Sequence, residues 1–145
     1  MIWLRYAGVF LAAALGTGLI VSMLNQNMSG QLGSAAQLMV PAMIAALVEG
    51  QNWAKKRKAK PNSSQVWGFA WIGAAIATGL NVVLAYGAGA LLPEFAKLAI
   101  APALSQQFII LLGIYAGGYL ICNWFFYRLG AGNQLTLMQD RDKSK

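Results

Sequence analysis

The chain has 145 residues, of which 58% are hydrophobic and only 10% are charged, and its mean hydropathy is +0.53. Soluble domains usually carry about a quarter charged residues, so this composition excludes an ordinary soluble domain and favours an integral membrane protein. The net charge of +7 comes from basic residues clustered where a membrane topology needs them and where anionic lipid headgroups would meet them. No nucleic-acid binding is therefore expected.

Charged residues are confined to short stretches of the chain. The segments 6–48, 61–93 and 98–127 hold no charged side chain, and the first of them is long enough to cross a bilayer twice. The sequence therefore predicts an all-α integral membrane four-helix bundle in one domain, 1–130, followed by a flexible cytoplasmic tail, 131–145. The four predicted spans lie at about 6–24, 35–53, 66–92 and 104–127.

The first span follows Arg5, and Trp3 and Tyr6 are placed to mark the headgroup level on the cytoplasmic side. Its apolar run continues without a convincing small-residue cleavage site, so we interpret it as a retained signal-anchor helix. The link 25–33 is polar, uncharged and rich in turn-forming residues. Such a link is typical of a short external hairpin.

The second span contains Pro41, which removes a backbone donor and crowds the preceding turn, so a kink is predicted there. Glu49 is the only acidic residue within a predicted span. Pro41, Ala45, Glu49 and Trp53 share one helical face at i, i+4 spacing. This face, where a kink and a carboxylate meet, is the best candidate for a functional site.

Two interpretations of Glu49 stay open. Carboxylates within a membrane are functional candidates by default, so Glu49 is a candidate for proton or cation coupling. It lies only about 9 Å along the helix from the basic cluster, however, where it can pair with Lys56, Arg57 or Arg128. A structural ion pair is the competing interpretation.

A basic loop closes the second span, and we expect it to contact anionic lipid headgroups on the cytoplasmic side. Its basic residues are Lys55, Lys56, Arg57, Lys58 and Lys60. The turn 61–64 then offers a serine cap to a third helix that begins near Val66. Asn81 lies near the middle of that helix, where it makes an interhelical hydrogen bond or lines a water-filled path.

Small residues recur at every fourth position in each span, a pattern that lets membrane helices approach closely. We predict that these stripes mostly pack inside the bundle, with an outward stripe for another protein as the alternative. Gly8, Ala12 and Gly16 form the stripe in the first span; Ala42, Ala46, Gly50 and Ala54 in the second; Gly73, Ala77, Asn81, Ala85 and Gly89 in the third; Gly113 and Gly117 in the fourth.

Charge asymmetry predicts the orientation of the spans. Of the 11 basic residues, all but Lys97 fall at the N-terminus, in the middle loop or at the C-terminal end. Short loops rich in Lys and Arg stay in the cytoplasm, so both termini are predicted to be cytoplasmic. Glu94 and Lys97 stand at i, i+3 spacing, which suggests a short helix in the external interface.

The chain is poor in catalytic residue types. It has no histidine and a single cysteine, Cys122, so the commonest general base and the commonest zinc ligands are missing. No clustered carboxylates or nucleophile–base pair are present in the sequence. We therefore expect neither an enzyme nor a protein with a metal or other cofactor.

The segment 40–50 (VPAMIAALVEG), the basic loop and the run Trp67-Gly-Phe-Ala resemble a family of small bacterial inner-membrane proteins of unknown function with four predicted spans. The resemblance implies bacterial origin, this topology and a role for Pro41 and Glu49, but no mechanism. The layout is also similar to that of accessory subunit I of bacterial ATP synthases. That subunit carries charged positions in its third span, and this chain has none there.

Two functions follow as hypotheses. The first is an accessory or assembly subunit of a larger membrane complex, since such a subunit needs only topology, packing stripes and a lipid-facing surface. The second is a small dimeric transporter that uses Glu49 for proton or cation coupling. The expected partners are anionic lipids and either another membrane protein or a second copy of the chain.

Overall fold

The computed structural model describes residues 1–27, 34–88, 102 and 104–144, and within these ranges the chain is helical and contains no strand. The described helices are α1 (Ile2–Asn27), α2 (Ser34–Arg57), α3 (Ser63–Val83) and α4 (Gln106–Lys143). A π-helical turn, Leu84–Ala88, continues α3. The predicted all-α class is confirmed.

Three of the described helical segments are long and apolar enough to cross a membrane: Ile2–Leu24, Ser63–Gly87 and Gln106–Lys143. They confirm the prediction of a membrane protein. The second predicted span is helical, but α2 is not among the three. Its sequence includes Pro41, Glu49 and the polar pair 51–52, and it ends in three basic residues, which lower its average apolarity.

Helix α2 lies at the centre of the described helices and contacts α1, α3 and α4. Its small-residue stripe is buried, as the sequence predicted, at Ala42, Ala46, Gly50 and Ala54. With no side chain beyond Cβ on this stripe, a neighbouring helix can approach the α2 backbone closely.

Helices α2 and α4 run parallel and touch backbone to backbone. Met39 lies beside Gly118, and about three turns later along α2 a Cβ added to Gly50 would collide with the carbonyl oxygen of Tyr127. A Cβ on Gly130 would likewise collide with the carbonyl oxygen of Leu47. Glycine is therefore required on both sides of this crossing.

Helix α1 packs antiparallel to α2 through larger side chains. Tyr6, Phe10 and Ala14, spaced four residues apart, form its buried face. The predicted stripe of α1 lies elsewhere on the helix: Gly8 and Ala12 are exposed. The prediction that the α1 stripe packs inside the bundle is wrong for the described residues, because bulky aromatic residues occupy the inward positions.

One end of the bundle gathers the basic residues, and we call it the basic end. There α1 begins, α2 ends, α3 begins and α4 passes residues 124–128. The ring of Trp3 stacks on Phe69 at 5.6 Å between centroids, and Trp67 lies 6.1 Å from Trp124. These contacts bring α1, α3 and α4 together at one level.

Helix α3 begins earlier than predicted and with a different cap. Asn62 is the N-cap residue: its side chain accepts a hydrogen bond from the Gln65 backbone, and the Gln65 side chain accepts one from the Asn62 backbone. This reciprocal capping box satisfies two backbone donors at once. The predicted serine cap and start near Val66 are therefore wrong.

Helix α4 is longer than predicted. The sequence predicts that the last span ends at Tyr127 and that a flexible tail follows Gly130, but α4 continues to Lys143 over 38 residues, about 57 Å. Gly130 meets the α2 backbone and Ala131 is fully buried, so packing on α2 extends the helix past the expected boundary. The helix is longer than the ~30 Å hydrocarbon core of a bilayer.

Several predicted features lie outside the described residues. They are the structure of the link 28–33, the end of the third span at 89–92, and the short interfacial helix with Glu94 and Lys97. The last span begins close to its predicted start, since Ser105 caps α4 by accepting from the backbone N–H of Phe108 at 3.0 Å.

Candidate functional site

The side chain of Glu49 forms a bidentate ion pair with Arg5. The Arg5 Nε atom lies 2.5 Å from Glu49 Oε1, and Nη2 lies 2.6 Å from Oε2. Glu49 is only 2% exposed, whereas the Arg5 side chain is 38% exposed. A guanidinium matches a carboxylate in this fork geometry, so the pair fastens the start of α1 to the last turns of α2.

The partner of Glu49 differs from those the sequence suggested. Lys56, Arg57 and Arg128 were the candidates, and all three are exposed, whereas Arg5 forms the only ion pair in the described part of the chain. Antiparallel packing places the first turn of α1 beside Glu49, a relation between distant segments that local spacing does not reveal.

A cavity of about 420 Å³ adjoins this ion pair at the basic end. Its charged lining comes from Arg5, Glu49, Lys56 and Arg57. The remaining lining residues are aromatic, aliphatic, polar or small: Ile2, Trp3, Asn52, Trp53, Gln65, Gly68, Phe69 and Tyr127. All four helices therefore contribute to one cavity that combines charge with aromatic walls.

The aromatic walls are packed against one another. Phe69 stacks on Tyr127 with ring centroids 4.1 Å apart, and it also meets Trp3 and, edge-on, Tyr6. Such contacts stabilise beyond the area they bury, by about 0.5–1.5 kcal/mol per pair. The inner wall of the cavity is thus held by contacts within the core.

Two members of the predicted functional face line this cavity and two do not. Glu49 and Trp53 are lining residues. Pro41 and Ala45, earlier on α2, are buried and lie outside the lining. The Trp53 ring lies 5.4 Å from the Arg57 guanidinium, a cation–π contact. The indole Nε1 of Trp53 is buried with no hydrogen-bond partner in the described part of the chain.

Asn81 belongs to a separate hydrogen-bonded chain. Its Nδ2 donates to the Tyr119 hydroxyl at 2.8 Å, and that hydroxyl donates to the Leu38 carbonyl oxygen at 3.0 Å. Helices α3, α4 and α2 are thereby joined. Leu38 lies in the turn before Pro41, where the proline leaves the helix one donor short, so the contact supplies a donor to this turn.

A gap beside this hydrogen-bonded chain is much smaller than the cavity at the basic end. It has a volume of about 20 Å³, includes Thr78, Asn81 and Tyr119 in its lining, and shares no lining residue with the larger cavity. That volume is close to what one water molecule needs. Two roles were expected for Asn81, an interhelical hydrogen bond and the lining of a water-filled path. The described geometry of Asn81 matches the first.

Asn123 and Tyr6 form a third polar contact, which the sequence analysis missed. Asn123 is fully buried, and its Oδ1 accepts from the Tyr6 hydroxyl at 2.8 Å. Its Nδ2 has no hydrogen-bond partner within the described ranges. The available signal was an asparagine within an apolar span, but its neighbour Trp124 made it look like an interface residue.

The predicted packing glycines behave differently in α3 and α4. Gly73 and Ala77 are buried, and a Cβ on Gly73 would lie 3.1 Å from Cγ of Asn123. Gly113 is exposed, and a Cβ on Gly113 or Gly117 would have no described neighbour within 4 Å. Helix α4 instead turns Gly118 inward, against Met39.

The predicted headgroup-contact residues are all exposed: Lys55, Lys56, Arg57, Lys58 and Lys60. Lys58 has φ 52°, a left-handed conformation that ends α2. The residues that the structure describes contain no group of three His, Cys, Asp or Glu side chains able to hold a metal ion.

Comparisons of the chain with protein-family models, with curated proteins and with solved structures found no match.

Proposed function

We propose that this chain is a non-catalytic accessory or assembly subunit of a larger complex in the bacterial inner membrane. The observation that carries the proposal is that the buried polar side chains bond to other helices of the same chain. Glu49 and Asn123 are the buried polar side chains of the described ranges, and each bonds to another helix of the same chain. Asn81 does the same.

This use of polar groups argues for a structural role. A transport site near the membrane midplane usually recruits ionisable groups that are free to change partner or charge. Here the Glu49 carboxylate is neutralised by Arg5, which donates hydrogen bonds to it from Nε and Nη2. The side chains that would serve transport are engaged in holding helices together.

The proposal includes four spans with both termini in the cytoplasm. Arg5, the basic loop and Arg128 gather at the basic end, where the positive-inside rule requires them. Helix α2 is on average less apolar than the other three, but its contacts with α1, α3 and α4 suit a helix shielded from lipid by its neighbours.

A partner helix is expected on the outer face of α1. Gly8 and Ala12 are exposed there, and a Cβ on Gly8 would meet nothing within 4 Å in the described structure. Within the chain, the same small-residue spacing on α2 allows the backbone contact with α4. A different membrane protein is the occupant we propose for the α1 face.

The test is the native mass and subunit composition of the tagged chain, recovered at natural abundance from bacterial membranes in lipid nanodiscs. We expect one different membrane protein in fixed stoichiometry. Gly8→Leu should remove most of it, because the larger side chain blocks close helix approach. Gly79→Leu is the matched control, since Gly79 is also exposed with no neighbour within 4 Å. Recovery as a lone homo-oligomer would contradict the proposal.

A coupled transporter is the second candidate, and one observation favours it: Glu49 and Arg5 both line the 420 Å³ cavity. If the pair opens during a transport cycle, Glu49→Gln abolishes proton-coupled flux in proteoliposomes while the protein stays folded. Under the accessory proposal, the same variant shows no change in flux and retains its partner.

A further inference from the structure

The cavity at the basic end carries an excess of positive charge. Arg5 and Glu49 neutralise each other, which leaves Lys56 and Arg57 among the lining residues. Neither of these two has a carboxylate partner in the described part of the chain. Two uncompensated cations thus border a cavity whose one acidic group is already paired.

The other walls suit a ligand that is not purely ionic. Trp3, Phe69 and Tyr127 give the cavity an aromatic side, and Asn52 and Gln65 add amide groups. The volume of about 420 Å³ falls within the range of about 300–1,000 Å³ typical of small-molecule sites. A ligand with an anionic head and a less polar body matches both sides.

We propose that this cavity binds the phosphate group of an anionic phosphate ester, supplied by a membrane phospholipid or by a soluble metabolite. The guanidinium of Arg57 and the ammonium of Lys56 are the side-chain groups that bind phosphate oxygens most strongly. Basic cavities between membrane helices on the cytoplasmic side recruit lipid phosphates by the same chemistry. The site goes beyond the accessory role and does not depend on it.

The first experiment compares two double variants of equal charge. Lys56→Gln/Arg57→Gln removes the two cavity cations, and Arg141→Gln/Lys143→Gln removes two exposed cations of the last turn of α4 that do not line the cavity. The probe is a short-chain phosphatidic acid, titrated into the purified full-length protein in neutral detergent. Tryptophan fluorescence reports binding, because Trp3 and Trp53 line the cavity.

We expect saturable binding that weakens about tenfold in Lys56→Gln/Arg57→Gln, since each lost contact is a hydrogen bond to a charged group. Arg141→Gln/Lys143→Gln should bind within about twofold of the parent chain, because these charges lie about 20 Å along α4 from Tyr127 and are screened over that distance. Equal weakening in both variants means that binding follows overall charge and overturns the proposal. No saturable binding to the parent chain also overturns it.

A second comparison predicts a change in the opposite direction. Glu49→Gln removes the negative charge of the cavity and frees the Arg5 guanidinium, so binding should tighten, by about fivefold. Asp140→Asn, the control, removes a negative charge from the exposed end of α4 and should change nothing. Weaker or unchanged binding in a folded Glu49→Gln variant contradicts the assigned site. If that variant does not fold, the two double variants still decide.

Two further probes distinguish the sources of the phosphate. If glycerol 3-phosphate binds the parent chain and loses the same fraction of its affinity in Lys56→Gln/Arg57→Gln, a soluble ester is a sufficient ligand. Binding of phosphatidic acid alone identifies the lipid. Short-chain phosphatidylcholine, whose phosphate is neutralised by choline, should bind more weakly than phosphatidic acid. Equal affinity for the two lipids would show that apolar contact drives binding and would overturn the proposal.

Discussion

Helix α2 is attached to α4 and to α1 by different means. Towards α4 it has Gly50, and the contact is backbone against backbone. Towards α1 it has Glu49, the adjacent residue, and the contact is a buried ion pair. One turn of α2 therefore combines a contact that tolerates no added atom with a contact that depends on charge.

The largest effect is expected at the glycine crossing. Gly130→Ala introduces a Cβ against the Leu47 carbonyl oxygen, and we expect a loss of about 3 kcal/mol of unfolding free energy, as for severe overpacking. Gly132→Ala makes the same change where nothing lies within 4 Å, and it should stabilise slightly, because alanine favours helix by about 0.5–1 kcal/mol.

Detergent-titrated unfolding of the two alanine variants, followed by tryptophan fluorescence, checks this difference. Opposite signs for Gly130→Ala and Gly132→Ala would support the close crossing of α2 and α4. A stabilising effect at both positions would show that the two backbones are not in contact.

The next largest effect is expected at the ion pair, and it should be unequal between partners. Arg5→Gln leaves the carboxylate of Glu49, 2% exposed, without its cation, at a cost of about 2 kcal/mol once the exposure of Arg5 is allowed for. Glu49→Gln leaves a guanidinium that reaches water, at a cost of about 1 kcal/mol or less. The same unfolding measurement compares the two; an equal cost would show that Glu49 is not buried.

A smaller loss is expected when a buried amide loses its hydrogen-bond donor. Tyr6→Phe removes the hydroxyl that donates to Asn123 Oδ1 and preserves the ring that meets Phe69. Since Asn123 is fully buried, we expect a loss near the upper limit for membrane hydrogen bonds, about 1.5 kcal/mol. Tyr115→Phe, on a half-buried tyrosine of α4 whose hydroxyl makes no hydrogen bond in the described part of the chain, is the comparison variant. Thermal unfolding in nanodiscs checks the ranking.

The smallest effect is expected at Asn81. Asn81→Ala removes the bond to Tyr119 but leaves the Tyr119 hydroxyl its contact with Leu38. A loss of about 0.6 kcal/mol, the average for interhelical hydrogen bonds in membranes, is expected. A loss larger than that of Tyr6→Phe in the same unfolding assay would mean that the Asn81 chain, rather than Asn123, is the main polar link between helices.

Sequence patterns predicted features that depend on one helix at a time. The stripe on α2 was identified from its spacing, and Ala42, Ala46 and Gly50 are buried, because spacing alone determines which residues share a face. Glu49 and Trp53 were identified as candidates for similar reasons, and both line the cavity. The end of α4 was missed, because Gly130 looked like a helix terminus when considered without α2.

Features that depend on how two helices are placed could not be predicted in this way. The pairing of Arg5 with Glu49 requires knowing how far α1 slides along α2. In α4, Gly117 has the expected spacing, but the next residue, Gly118, is the one that meets Met39. Adjacent helical positions point about 100° apart, so a small rotation of the helix decides which glycine packs.

The most direct test is a double-mutant cycle on Arg5 and Glu49, measured as unfolding free energy in lipid nanodiscs. If the two side chains form the ion pair that joins α1 to α2, Arg5→Gln/Glu49→Gln is no less stable than Arg5→Gln alone, with a coupling of about 1 kcal/mol or more between the sites. If the two effects simply add, the side chains do not interact. The structural role proposed for Glu49 would then be contradicted.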